Sequence, residues 1–410
     1  MGHELRVLRA EEWDVWFRQL ELAFGGAPEP AEGRELYRDL TEIDRSLAVW
    51  DGDDCVGSAS AFSFRMAVPG GAVVPAAGVT MVGVAPTHRR RGVLTSMMRR
   101  QLDDVRAGGE PLAVLTASDP AIYPRFGYGI GAYGLSMEID TTRVRVSVPP
   151  GADAVRMRLV DPLEALPACE RVYAALVPGR PGMPARQPGW ERQGLLDPVS
   201  ERGGKAPLAC VLAEGPDGEV LGYARYQVNP EWERKGSAGS VEVLQLDAVD
   251  PAAYAALWRY VCGIDLTWTV RAHRRPADDP VLHLVTDVRR SQLLLRDALH
   301  VRLVELGAAL EARSYGVPVD VVLDVADEFC PWNGGRWRLS ADASGVSCVR
   351  TGDPADLALS ARDLAAVYLG GNSLLSLAAA GRVRELRPGA LAVASRAFAG
   401  DVAPWLPHGF

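Results

Sequence analysis

Apolar residues recur at helical spacing over residues 11–24, where Trp13, Trp16, Phe17, Leu20, Ala23 and Phe24 share one face. A second helix is predicted over residues 32–40. The pattern then turns strand-like over 45–50, which the turn Asp51-Gly52-Asp53-Asp54 closes, and again over 55–68 and 78–84. Residues 91–107 return to an amphipathic helix that stops at Gly108-Gly109, and 112–116 read as a short apolar strand. A linker is predicted at 144–152, marked by Pro149-Pro150-Gly151.

A second mixed region follows over about 153–285. It is expected to hold a helix at 162–176, a loop rich in Pro and Gly at 178–189, and a hairpin of 206–214 and 220–229 around Gly215-Pro216-Asp217-Gly218. A strand at 241–249 leads through Asp250-Pro251 into a helix at 252–263. This order repeats that of the first region without its arginine-rich turn, so it reads as a second, degenerate copy of the same fold. The last segment, from about 293, is predicted to hold a helix at 297–312 and strands at 317–325, 335–339 and 344–350. Helices at 360–369 and 372–380, a short strand at 383–386 and a helix at 390–398 complete it. The fold class is α/β (α+β), in three domains.

A chain of 410 residues is too long for one ordinary core. Its 48% hydrophobic and 23% charged residues are those of a globular protein, and a net charge of −8 argues against a dedicated nucleic-acid binder. The acidic balance suits cationic ligands such as polyamines, amino sugars or lysine side chains, and equally serves solubility. The six cysteines include no Cys-x-x-Cys pair, so neither a disulfide framework nor a structural zinc site is expected. His283 and Asp287 have helical spacing but no third ligand, and no metal is expected. With neither a secretory h-region nor an apolar run of about 18 residues, no membrane span is predicted and a cytoplasmic location is expected.

Chemistry concentrates in Val82-Gly83-Val84-Ala85-Pro86-Thr87-His88-Arg89-Arg90-Arg91-Gly92-Val93-Leu94. An apolar strand runs into three arginines and a glycine, then straight into a helix. First-turn N–H groups have no partner within a helix, the macrodipole adds positive charge, and a glycine admits close approach. The combination suits a diphosphate; a solvated basic helix start is the plain alternative. Downstream, Pro120-Ala121-Ile122-Tyr123-Pro124-Arg125-Phe126-Gly127-Tyr128-Gly129 forms an aromatic turn. Tyr123 there is either a proton donor or turn packing, and Tyr128 is expected to be structural. The apolar ending Val402 to Phe410 favours a docked tail, with His408 expected at the surface. The Trp13–Trp16 stripe reads as core contact; Trp332 and Trp337 line either a substrate mouth or a hairpin.

The arrangement Arg89-x-x-Gly92-x-Leu94 after a strand resembles the acyl-CoA signature of the GNAT superfamily of N-acetyltransferases, with Leu94 bulkier than the usual last residue. Combined with Ile122-Tyr123-x-Arg125-Phe126-Gly127-Tyr128-Gly129 and a terminal Phe410, the chain resembles the enhanced intracellular survival (Eis) family of acetyltransferases. The resemblance spans the whole chain and is tight between about residues 78 and 130. It implies an N-terminal GNAT domain over 1–145 and a central GNAT-like domain without a cofactor motif over 146–290. A sterol-carrier-like domain over 291–410 would deliver a C-terminal carboxylate.

It also implies acetyl-CoA as co-substrate. Val82, Gly83 and Val84 would offer backbone groups to the pantetheine arm, and Arg89, Arg90, Arg91, Gly92, Val93, Leu94 and Thr95 would surround the diphosphate. Ser118 and Asp119 would lie beside the cofactor, Tyr123 would be the general acid, and the Phe410 carboxylate the general base. A homo-oligomer, commonly a hexamer in that family, is implied too. Eis-type enzymes acetylate aminoglycosides, and some act on lysine side chains, in clefts with acidic and aromatic residues. Here the loop 24–30 is small and nearly uncharged, with Glu29 and Glu32 its nearest carboxylates. Met81 and Gly409 also depart from the pattern, so primary amines in general are expected rather than aminoglycosides in particular. A rival reading is a lipid- or small-molecule-binding protein built on the sterol-carrier-like domain, with inert GNAT modules.

Overall fold

The first predicted helix starts at Trp13 because Ala10–Glu12 form a 3-10 turn, in which the Glu12 carboxylate accepts from the Arg9 N–H at 3.1 Å. Helix α1 (Trp13–Phe24) buries Trp13, Trp16, Phe17 and Gln19. Trp13 Nε1 donates to Thr41 Oγ1 at 3.0 Å and Trp16 Nε1 to the Leu47 carbonyl at 2.9 Å, so the tryptophan stripe is core contact. Helix α2 spans Ala31–Leu40.

This computed structural model describes residues 3–25, 28–234 and 236–410. The chain folds as two units, one of Met1–Ala132, Asp297–Pro404 and Gly409–Phe410, the other of Tyr133–Arg296 and Trp405–His408. In the first, β1 (Glu4–Val7), β2 (Leu47–Asp51), β3 (Asp54–Ala67), β4 (Val73–Val84) and β5 (Leu112–Leu115) lie side by side in chain order. The β1–β2, β2–β3 and β3–β4 pairs are antiparallel, whereas β4 and β5 run parallel. Their crossover is helix α3 (Val93–Ala107), which buries Val93, Met97, Met98, Gln101, Leu102 and Val105 on one face.

The predicted helix over 297–312 is a correction. Leu294–Leu303 is a strand that pairs antiparallel with β5, and only Leu306–Glu311 is helical. Leu299, Val301 and Leu303 alternate at strand period. The intervening His300 and Arg302 are polar in sequence yet buried in the fold, and helix-favouring Leu, Arg and Ala over 293–299 outweighed the short alternation. Arg302 is fully buried and paired with Asp327 at 2.6 Å. Beyond it a second sheet has the order Gly345–Arg350, Gly335–Asp342, Val319–Ala326, Leu357–Ser360, Val383–Glu385. Helices Ala361–Val367, Leu374–Ala379 and Ala390–Phe398 accompany it, as predicted; the strand Leu357–Ser360 had no sequence signal. Trp337 Nε1 donates to the Asn333 carbonyl and Trp332 Nε1 to the Val304 carbonyl, both at 2.8 Å, so both rings serve packing.

In the second unit the sheet order is Gly129–Asp140, Thr267–Pro276, Gly239–Ala248, Val220–Asn229, Ala209–Glu214, Arg156–Val160. The first two strands were not anticipated. Glycines at 129, 131 and 134 thin the apolar pattern of the first, and polar residues interrupt the second. Helices Pro162–Leu176 and Pro251–Cys262 form as predicted, capped by Asp161 and Asp250. The expected linker is ordered: Val144 is buried, and Val146 bridges Val285. His408 is another correction, because it is buried with Nε2 at 3.3 Å from the Tyr173 hydroxyl rather than at the surface. Among the described residues no helix is long and apolar enough to cross a membrane.

Gly129 sits against the helix Ala361–Val367. A Cβ there would lie 2.2 Å from the Arg362 carbonyl oxygen and 2.6 Å from the Ala366 nitrogen, both backbone atoms. Gly129→Ala is therefore expected to destabilise the fold by about 1–3 kcal/mol. A thermal melt checks this, with Gly352→Ala, which has open space around its added Cβ, as the silent control.

Candidate active site

The parallel ladder between β4 and β5 holds only Ala76↔Leu112, Ala77↔Ala113 and Gly78↔Val114. From Val79 onward β4 has no β5 partner, and a cleft of about 900 Å³ opens there. A bulge sharpens the departure. Ser58 pairs with Gly83 and Ser60 with Thr80, so Met81 and Val82 together oppose Ala59. Met81 takes φ 52°, a left-handed conformation that is costly for a non-glycine residue. The edge residues Val82, Gly83 and Val84 all line the cleft, as expected. Gly83 is required by packing: a Cβ would lie 3.1 Å from Ala23 Cβ and 3.3 Å from Leu20 Cδ1 on α1.

At the cleft's other end the chain turns into α3 through Arg90 at φ 62° and Gly92 at φ 85°. Among the described residues no side chain caps α3, and its first internal bond runs from the Ser96 N–H to the Gly92 carbonyl at 3.0 Å. The N–H groups of Val93, Leu94 and Thr95 are thus left over at the positive end of a 15-residue helix. Gly92, Val93, Leu94, Thr95, Arg89 and Arg90 line the cleft, whereas Arg91 does not. Arg89 also braces the loop. Its Nη2 donates to the Ala23 carbonyl at 2.9 Å and its Nε to the Val84 carbonyl at 3.5 Å, which ties the end of α1 to the loop. At this end of the cleft the open donors are the first-turn N–H groups of α3, with Arg89 and Arg90 beside them.

The aromatic turn forms the third wall. Ser118, Asp119, Ile122, Tyr123 and Arg125 line it, and Asp119 Oδ1 accepts from the Ala121 N–H at 3.0 Å, closing the turn. The 3-10 segment Tyr123–Phe126 ends at Gly127 with φ 84°, where a Cβ would meet Arg302 Nη1 at 2.2 Å. Tyr123 lies edge-on to Tyr128, with ring centroids 5.9 Å apart. Burial, assisted by the Asp119 charge, pushes the Tyr123 phenol up to about 12. Tyr128 is fully buried, its hydroxyl has no partner among the described residues, and it does not line the cleft. It is structural.

Phe410 closes the far side of the cleft, with its ring edge-on to Phe64 at 4.9 Å. The structure thus brings every expected site residue except Arg91 into one cleft. It adds residues that sequence reasoning had not assigned there: Phe17, Leu20, Glu21, Tyr37 and Thr80. Glu29 lines it and Glu32 does not; Gly26 and Ala27 of the same loop lie outside the described residues. Helical spacing placed Phe17, Leu20 and Glu21 on one helix, but nothing local showed which strand that helix would face.

Comparison with known proteins fits this geometry. An acetyltransferase (GNAT) domain family matches residues 4–131, a second acetyltransferase (GNAT) domain family matches 182–303, and a sterol carrier protein domain family matches 306–407. An uncharacterized N-acetyltransferase of Streptomyces avermitilis is 64% identical over 410 residues, all of both chains. The N-acetyltransferase Eis of Mycobacterium tuberculosis is 33% identical over 406 residues, 96% of each chain. The chain belongs to the Eis family. The crystal structure of Eis1 from Mycobacterium abscessus superposes with a TM-score of 0.85 at 33% identity, covering 99% of this chain and all of that one. This Eis-family chain is an acetyltransferase with two GNAT domains and a sterol-carrier-type domain.

The raised phenol gives a direct test. An ordinary tyrosine is half ionised near pH 10, so Tyr123 at about 12 stays protonated through the working range. The ultraviolet phenolate titration of the wild type minus that of Tyr123→Phe is expected to show one phenol with a midpoint above 11. A difference midpoint near 10 would place the ring in water.

Proposed function

We propose that this enzyme transfers the acetyl group of acetyl-CoA to primary amines, with Tyr123 as general acid and the Phe410 carboxylate as general base. The observation that carries the reading is one cleft in which a free strand edge, an uncapped helix start and a buried phenol converge. The residues fit the co-substrate. Val93, Leu94 and Thr95 N–H groups would hold the diphosphate, and no atom stands within 4 Å of where a Gly92 Cβ would be, so the approach is open. The β4 edge from Val82 to Val84 would pair with the amide-bearing arm, and a backbone N–H there would stabilise the oxyanion. The thioester supplies the acetyl group; the remaining work belongs to this chain's own residues.

An amine is mostly protonated near neutral pH, so a group beside it must accept a proton before it attacks. The Phe410 carboxylate does this, its basicity raised as the closed cleft sheds water. Tyr123 returns a proton to the departing sulfur. A phenol near 12 is a weak donor to a thiolate whose usual value is about 8.5, but the dehydrated cleft raises the sulfur's proton affinity as well. We further assign cofactor binding to residues 1–145, a non-catalytic role to 146–290, and delivery of the carboxylate to 291–410, with the enzyme working as a homo-oligomer in the cytoplasm.

The acceptor side favours amines with an apolar body. Phe17, Leu20, Phe24, Tyr37 and Phe410 line it, while Glu21 already accepts from Arg34 at 3.3 Å and from the Glu29 N–H at 3.0 Å. A polycationic aminoglycoside would need more unengaged carboxylates. The lipid-carrier reading lacks a comparable observation. Within the sterol-carrier-type region Arg313 is 2% exposed and donates to the carbonyls of Val367, Tyr368 and Phe398.

A chain extended past Phe410 is expected to keep its acetyl-CoA affinity and to lose turnover by about 10²-fold or more, as should Tyr123→Phe. Free CoA release with phenylalkylamines and with kanamycin-type amines is the readout, and the phenylalkylamines are expected to give the higher kcat/KM. Acetyl-CoA should also raise the melting temperature, because it binds only the native state. Unchanged turnover in the extended chain would remove Phe410 from the chemistry.

A further inference from the structure

His3 precedes β1, Asp51 ends β2 at a turn that Gly52 makes with φ 63°, and His88 closes the 3-10 turn Pro86–His88. Far apart in sequence, they converge: one ligand atom from each lies within 4.8 Å of the other two. His88 Nε2 is 3.1 Å from Asp51 Oδ2, and its Nδ1 is 2.8 Å from the Thr87 hydroxyl, which fixes the ring from behind. The His3 ring stands edge-on to His88 with centroids 5.3 Å apart. His3 Nδ1 is shut off from solvent and has no hydrogen-bond partner among the described residues. A simple Asp51–His88 ion pair would not call for that unsatisfied nitrogen.

We propose that His3, Asp51 and His88 form a binding site for a zinc-like divalent cation that clasps the β2–β3 turn to the loop ahead of α3. Two imidazoles and one carboxylate, with a fourth position left to water, are a donor set that borderline-soft divalent metals take. Ligand atoms in a tetrahedral zinc site stand about 3.3 Å apart, so the Asp51–His88 pair at 3.1 Å is already in place and His3 has at most about 1.5 Å to close. The clasp is one residue from Arg89 and four from Gly92. Holding His88 therefore limits the freedom of the uncapped helix start, and the cation and acetyl-CoA should each tighten the binding of the other. This link rests on the acetyl-CoA reading above, whereas cation binding itself does not.

The test uses the full chain without an affinity tag, dialysed against zinc ions alone, with metal content and melting temperature as readouts. The wild type is expected to retain about one zinc per chain and to melt higher in its presence. His3→Ala and Asp51→Asn should each bind zinc at least tenfold more weakly. His283→Ala, which removes an exposed imidazole elsewhere, should match the wild type. Absence of stoichiometric zinc in the wild type, or its retention by both His3→Ala and Asp51→Asn, would overturn the site. In the same samples zinc should tighten acetyl-CoA by about fivefold in the wild type and leave Asp51→Asn unchanged. Equal acetyl-CoA affinity with and without zinc in the wild type would overturn the link. A chain that binds zinc but never acetyl-CoA would refute the transferase reading instead.

Discussion

Parallel strands that part after three rungs leave backbone groups that something else must satisfy. In this chain β4 runs on from Val79 to Val84 past its last pair with β5, Gly78↔Val114. A buried strand edge with no partner is costly, since each unpaired donor or acceptor loses its hydrogen bond to water. The bulge at Met81 makes the parting abrupt, and the strained φ of that residue persists because β3 fixes the strand on its other side. The result is an edge that an amide-bearing ligand can complete in the manner of an added strand. The uncapped start of α3 stands beside it, set there by the β4–α3–β5 crossover. Edge and helix start follow from one topological fact.

The second constraint comes from the far end of the chain. The turn that carries Tyr123 is held from beneath by groups that leave no room for a Cβ: Arg302 under Gly127, and the backbone of helix Ala361–Val367 against Gly129. Arg302 is itself fixed by Asp327 at 2.6 Å in full burial, where breaking one partner costs about 3–5 kcal/mol. The sterol-carrier-type region thus acts as a buttress for the turn that carries the phenol. Within that region the buried Arg313 guanidinium donates to three carbonyls, those of Val367, Tyr368 and Phe398, and so ties its helices together.

Much of this was legible from the residues. The amphipathic stretches located α1 and α2, the Gly108-Gly109 stop fixed the end of α3, and the order strand, arginines, glycine, helix marked one end of the cleft. What stayed hidden was set by tertiary partners. The segment with Leu299, Val301 and Leu303 is rich in residues that favour helices, and only its pairing with β5 made it a strand. In the strand Gly129–Asp140, Gly129 passes against the backbone of helix Ala361–Val367 and Gly131 against the Val301 and Leu369 side chains, which removes the apolar signal. Charge alone could not show that Arg89, besides lining the cleft, would donate to the Ala23 carbonyl and brace the end of α1. His3, Asp51 and His88 gave no sequence signal, because a motif search looks for ligands spaced along one element and these come from three.

The second GNAT domain shows by contrast what the first needs. Its parallel pair, Gly239–Ala248 with Thr267–Pro276, is likewise joined through a helix, Pro251–Cys262. There the helix start is closed. Asp250 accepts from the Ala253 N–H at 2.8 Å, and Pro251 at the first helical position has no N–H to offer. A carboxylate in the place where a phosphate would sit repels it and consumes the donors that would bind it. This ending gives a more stable helix, since a good N-cap contributes about 1 kcal/mol. The first domain forgoes that stability at Gly92 and accepts left-handed backbone at Arg90 as well. Two copies of one topology thus differ at this junction: one helix start is closed by an aspartate, and the other leaves its first-turn donors open.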